Sequence, residues 1–193
     1  MFYYLKNLTK AGIHNFKSRK IIFIAAAVCL SHLANSQIYK AELAANGLTC
    51  SMCSNATLKQ LETIAFLDSI DIDIEYTKFI LYFKPATPYD LNTIRAKVED
   101  AGFAVGSLIL SMKFDNLTIE KDFHFTQGDI SYHFIDTKKQ ILNDIIKLKV
   151  IDKGFMSEKE YKKYAKHTEI NSYTESGNVD TKKNHYHLKV VEK

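Results

Sequence analysis

The stretch Tyr39-Lys40-Ala41-Glu42-Leu43-Ala44-Ala45-Asn46-Gly47-Leu48-Thr49-Cys50-Ser51-Met52-Cys53 decides the fold and carries the chemistry. Tyr39, Ala41, Leu43 and Ala45 alternate with Lys40, Glu42 and Ala44, the period of two that marks a strand with one buried face. Asn46 and Gly47 break that period. Two thiols then follow, three residues apart, at the mouth of a helical segment from about Cys53 to Thr63 with Leu58, Leu61, Ile64 and Ala65 on its inner side. A helix N-terminus offers unpaired N–H groups and the positive end of the macrodipole, so a thiol placed there ionises more easily than a free one. Two neighbouring thiolates make a soft, electron-rich pair that suits Cu(I) and other thiophilic ions. The expectation is a metal site with Cys50 and Cys53 as its ligands.

Working downstream, Ile70, Ile72 and Ile74 alternate with Asp71, Asp73 and Glu75. After a turn near Tyr76-Thr77, Phe79, Leu81 and Phe83 continue the same period, which reads as a hairpin. A second helix has a start signal of its own: Thr87 as N-cap, Pro88 at the first helical position and Asp90 in the capping-box place. Leu91, Ile94, Val98 and Ala101 recur at helical spacing, and Gly102 suits the residue just past the end. Phe103, Val105 and Leu108-Ile109-Leu110 supply a last strand. The predicted class is α+β, with the order βαββαβ of a ferredoxin-like split βαβ: two helices on one face of a four-stranded antiparallel sheet.

Residues 38–110 resemble the heavy-metal-associated domain found in copper chaperones, copper-transporting ATPases and periplasmic mercury-binding proteins. The family's Gly-Met-Thr-Cys-x-x-Cys reads here as Gly47-Leu48-Thr49-Cys50-Ser51-Met52-Cys53, and Asp100-Ala101-Gly102-Phe103 is similar to its Ala-Gly-Phe/Tyr turn. The resemblance implies that Cys50 and Cys53 hold the ion while Phe103 lies across from the loop and shields it. Leu48 replaces the usual Met, one apolar anchor for another. Ser54 and Thr57 fall where the family more often has apolar residues, which bears on helix packing and leaves the ligands untouched. The implied task is capture and hand-over of a soft ion: Cu(I) first, with Hg(II), Zn(II) or another thiophilic ion as alternatives. The implied partner is a metal-donor or metal-acceptor protein. The sequence contains no visible acid–base pair or nucleophilic constellation, so it does not read as an enzyme.

Cys-x-x-Cys has other uses. A c-type haem site needs His after the second cysteine, where this chain has Ser54. A structural zinc site needs four ligands, and no second cysteine pair exists. A thiol-disulfide oxidoreductase uses the same motif at the same strand-to-helix junction. Against it stand the absence of Trp, the lack of Pro between the cysteines, and an element order unlike thioredoxin. A scaffold that binds no metal is the third alternative. Met52 is a soft side chain between the thiols, at a position that points away from the sulfurs or covers the loop.

Residues 1–36 read as an export signal. Lys6, Lys10, Lys17, Arg19 and Lys20 form a basic segment without acidic residues, the run Ile21 to Leu30 is apolar, and Ala34 and Ser36 mark cleavage before Gln37. The apolar run falls short of the ~20 residues that span a bilayer, so no stable membrane insertion is expected after processing. Cys29 follows Val28, not a small residue, and reads as part of the apolar run. The whole chain has 26 Lys+Arg against 22 Asp+Glu, and removing the five basic leader residues leaves near-neutrality. No nucleic-acid partner follows from such a balance. Export implies a periplasmic or secreted location, where an oxidised pair could not bind copper; a reductant or rapid metal loading must keep both thiols reduced.

Residues 111–193 lie outside the resemblance and read as a separate β-rich, OB-like domain with one helix. Met112 to Asp115, Phe123 to Phe125, Ile130 to Phe134 and Ile146 to Val150 alternate like strands. Ser157 and Glu160 form a capping box for a charged, solvated helix, Glu158 to Lys166, with Tyr161 and Tyr164 on one side. A polar stretch, Asn171 to Asn184, reads as a loop before a final strand, His185 to Val191. Histidines gather here at 124, 133, 167, 185 and 187. His185 and His187 share a strand face and could seat Cu(II) or zinc; the simpler reading is a solvated terminal strand with polar residues outward.

Overall fold

The alternation that opens the motif becomes β1 (Ile38–Asn46), with Ala41 and Leu43 fully buried, but Tyr39 is 57% exposed and Ile38 is buried in its stead, where the register with β4 shifts between Ile38 and Lys40. In the computed structural model the described residues are 38–48, 50–73, 75–166, 168, 173 and 184–191. The expected leader with Cys29, together with Thr49, Ile74, His167 and most of the 171–184 stretch, lies outside them.

After β1 come α1 (Ser51–Leu61), β2 (Leu67–Asp73), β3 (Lys78–Phe83), α2 (Leu91–Asp100) and β4 (Ala104–Ile119). β1 lies between β3 and β4, antiparallel to both, with Leu43 opposite Phe79 on one side and Leu108 on the other. β2 pairs with β3, completing the order β2-β3-β1-β4 of a split βαβ. Leu61 of α1 and Leu91, Ile94 and Val98 of α2 are buried, so each helix lays one apolar stripe on the sheet. Full burial of such a side chain stabilises by about 1.5–3 kcal/mol relative to exposure.

Two local expectations are corrected. Helix α2 starts three residues later than the Thr87 signal predicts: its N-cap is Asp90, whose carboxylate accepts from the Asn92 N–H at 2.9 Å. The cause is distant in sequence. The Tyr186 hydroxyl donates to Asp90 Oδ1 at 2.6 Å and accepts from the Leu91 N–H at 2.9 Å, holding the helix start at that residue. Ile72, expected to be covered, is 41% exposed although it stands opposite the buried Phe79, because β2 is the edge strand with a neighbour on one side only.

The second half does not build an OB-like barrel. β4 runs on without a break past residue 110, where a domain boundary was expected, and its far side takes β7 (Gln140–Val150). β8 (His185–Val190), β6 (Ile130–Phe134) and β5 (His124–Gln127) follow, so one sheet runs β2-β3-β1-β4-β7-β8-β6-β5. A strand of sixteen residues can pair with β1 along its first part and with β7 along most of its length. The described residues fall within a single compact unit. Helix α3 (Glu158–Ala165) begins at the expected Ser157–Glu160 capping box, with the Glu160 N–H donating to Ser157 Oγ at 3.3 Å. Its Tyr161 packs with Ile135, Ile151, Met156 and Tyr173 in a second, smaller core. Among the described residues no helix is long and apolar enough to cross a membrane.

Candidate metal centre

The two cysteines sit where β1 hands over to α1. Gly47 turns the chain with φ of +85°, a backbone that other residues adopt only under strain. Leu48 then drops into the core, buried beneath the loop as expected for its anchoring place. Cys50 is the N-cap of α1, in extended conformation, and its sulfur accepts the Cys53 N–H at 3.3 Å. Cys53 lies one helical turn on, packed against the core and half-buried, whereas Cys50 is exposed. The sulfurs are 2.7 Å apart and both cysteines are free.

Phe103 closes the other side. Gly102 ends α2 with φ of +87°, donating to Glu99 O at 2.8 Å, while the Phe103 N–H reaches Val98 O at 3.1 Å. That turn brings the Phe103 ring against Gly47, 3.6 Å from where a β-carbon would stand. The aromatic side chain therefore flanks the loop that carries the thiols. Met52 stands 82% exposed on the outer side of α1.

The electrostatics of the pair are asymmetric. Hydrogen bonds from the Cys53 thiol, then from the Cys53 and Met52 backbone N–H groups, pull the Cys50 thiol below its ordinary range. Those bonds stabilise the thiolate by placing donors on it. Cys53 is pushed the opposite way, first by its hydrogen bond to Cys50 and then by desolvation and the adjacent charge. Helix α1 carries no acidic residue in its first turn, so a thiolate is the anion its N-terminus receives. The arrangement makes Cys50 the first of the two thiols to ionise.

Sequence reasoning missed two features here. Thr57 is fully buried and donates to Cys53 O at 3.1 Å, tying the cysteine's backbone to the next turn. Its place on the inner stripe was concealed by its polarity. The second is a groove of about 380 Å³ beside the loop, between Leu48, Cys50 and Ser54 on one side and Ile72 and Phe79 on the other. It exists because the edge strand leaves Ile72 uncovered.

Among the histidines, His124 is exposed on β5, His133 and His185 are half-buried and His187 is fully buried. β8 is an inner strand between β7 and β6, so the reading of a solvated terminal strand is corrected. Pairing of β8 with β6, more than fifty residues upstream, covers what local alternation left outside.

No protein-family model matches the chain, and no curated protein matches it. Among solved structures it is similar to the yeast copper transporter domain CCC2A in the apo and Cu(I)-loaded states, at 26% identity and TM-score 0.29, over 33% of this chain and 86% of that one. It is also similar to the CopZ metallochaperone, at 21% identity and TM-score 0.31, over 34% of this chain and 97% of that one. These likenesses are confined to about a third of the chain.

Proposed function

We propose that this chain is an exported protein that captures a soft metal ion, Cu(I) in the first place, on Cys50 and Cys53 and passes it to a partner protein. The placement of Cys50 supports this most: an exposed thiol at a helix N-cap, lowered in pKa, one turn from a second thiol. An arriving cation meets the exposed Cys50 sulfur first. The thiol protons it displaces pass to solvent, and the Cys53 sulfur, ionised in turn, closes the pair on the ion. Cys53, packed against the core, acts as the fixed ligand, and Cys50 as the one with freedom to move.

Two protein thiolates leave a soft ion with open coordination, so a partner's thiolate can enter before either bond breaks. Ile72 and Met52 give the surface around Cys50 an apolar character suited to docking a donor or acceptor protein. The expected leader places this work in the periplasm or outside the cell, with a reductant keeping the pair open. The chain has no catalytic role in this reading.

A second reading draws on the same asymmetry. An exposed, acidified first cysteine next to a raised second one also describes the attacking thiol of a disulfide oxidoreductase. Anaerobic competition of the reduced protein with a Cu(I) chelator separates the two. The metal carrier takes one ion per chain, loses it in C50S and in C53S, and leaves insulin disulfides intact. A reduced, folded chain that fails to compete for Cu(I) but reduces insulin would overturn the proposal.

A further inference from the structure

Three histidines converge on the sheet face away from α1 and α2. β6 and β8 pair in parallel, with Ser131 opposite His185 and His133 opposite His187. Tyr186, between the two histidines of β8, reaches the α2 cap, so His185 and His187 point to the other face and His133 joins them. A ring nitrogen from each of the three lies within 4.8 Å of the others. Ring centroids are 4.8 Å apart for His185 and His187, 5.7 Å for His133 and His187, and 6.2 Å for His133 and His185.

Two of the rings are oriented from behind. Asp152 accepts from both the backbone N–H of His187, at 2.8 Å, and its ring Nδ1, at 2.7 Å. With the proton on Nδ1, the neutral ring carries its lone pair on Nε2. His133 Nε2 lies 3.1 Å from the Asp122 carbonyl oxygen, an acceptor only, which leaves the lone pair of the neutral ring on Nδ1. A carboxylate or carbonyl behind an imidazole is the support that metal-ligating histidines use to set tautomer and ring angle. Tyr173 packs against His187, 5.0 Å between ring centroids, and Asp152 is itself buried. The trio thus stands on two adjacent inner strands, β6 and β8, with two of its rings held by hydrogen bonds from behind.

We propose that His133, His185 and His187 form a second metal site, separate from the thiolate pair, with Asp152 and Asp122 as its orienting groups. Its ligands are three imidazoles and no thiolate. That donor set selects a borderline divalent ion, Zn(II) or Cu(II), over the soft ions preferred by Cys50 and Cys53. Three protein ligands leave room for a water or a further donor on the ion. His124, across the β5–β6 ladder with its ring 5.8 Å from that of His133, stands at the exposed side of the trio.

The full-length C50S/C53S chain isolates this site from the thiols. Titrated with Zn(II) and, separately, with Cu(II), it is expected to take up one ion. The Cu(II) form should show hyperfine coupling to imidazole nitrogen in its electron paramagnetic resonance spectrum. H185Q and H133Q alter half-buried positions, and each should weaken binding at least about tenfold while leaving the far-ultraviolet circular dichroism unchanged; D152N should weaken it about 10–100-fold. Failure of the C50S/C53S chain to bind either ion, or a Cu(II) spectrum without nitrogen coupling, would overturn the site. So would affinities in folded H185Q and H133Q equal to that of the C50S/C53S parent. The spectroscopic result decides the matter even if a variant misfolds.

Discussion

Cys50 occupies a place that serine, threonine, aspartate or asparagine fills in most helices. A side chain there is held against backbone N–H groups by the geometry of the helix start, and for a thiol that favours the anion. The two cysteines should consequently differ in reactivity. Labelling with iodoacetamide across pH 5–9, read by peptide mass spectrometry, is expected to show Cys50 reacting at lower pH than Cys53. In C50A, Cys53 should become reactive at lower pH than in the unaltered chain, since the leading cause of its raised pKa, the bond to Cys50, is gone. Equal profiles for the two thiols would contradict the asymmetry. The residue types and spacing of this pair were legible in the sequence, because the chemistry needs little more than two sulfurs one turn apart. Which sulfur ionises first was not, since that depends on which N–H each one meets.

Helix α2 shows how an element can be identified correctly and started at the wrong residue. Its apolar stripe and its Gly102 stop follow from helical periodicity alone. Its first residue is set by a tyrosine on the neighbouring sheet. Burial and the Asp90 hydrogen bond push the Tyr186 hydroxyl above its ordinary pKa, so it remains a neutral donor to Asp90. Asp90→Ala removes the helix cap and deprives that buried hydroxyl of its acceptor. The expected loss is about 2–3 kcal/mol, above the ~1 kcal/mol of an isolated cap. Thr87→Ala, at the position favoured by local signals, should cost no more than about 0.5 kcal/mol, the range of an ordinary surface change. Urea midpoints of the two variants check this, and a reversed order would return the cap to Thr87.

Across the whole molecule, Glu42 joins strands from both halves of the chain. Its carboxylate pairs with Lys147 of β7 and lies 3.8 Å from Lys78 of β3. Burial pushes the Glu42 pKa up, but the hydrogen-bonded Lys147, with Lys78 and Lys40, more than offsets this and leaves it lowered. A carboxyl whose folded pKa lies below its unfolded one stabilises the fold above the unfolded value, about 4.3. That stability disappears as pH falls through the folded pKa. Between pH 6 and pH 3 the unaltered chain should therefore lose more stability than E42Q, by about 0.5–1 kcal/mol, the scale of an ion pair whose lysines stay open to solvent. Urea unfolding at the two pH values measures it; a smaller loss in the unaltered chain would mean that the fold raises the Glu42 pKa.

Local order settled the βαββαβ elements of residues 38–110, the cysteine pair, the Gly102 stop and the Ser157–Glu160 cap, because periodicities of 2 and 3.6 and short-range hydrogen bonds are written within a few residues. Tertiary structure decided the rest. β4 extends beyond residue 110 because β7 is there to pair with it. β8 is buried because β6 and β7 flank it, and His133 meets His185 and His187 only through that parallel ladder. Strand pairing between distant segments has no local signature: each strand offers the same N–H and C=O groups, and the choice among partners is made by the packing of the whole sheet.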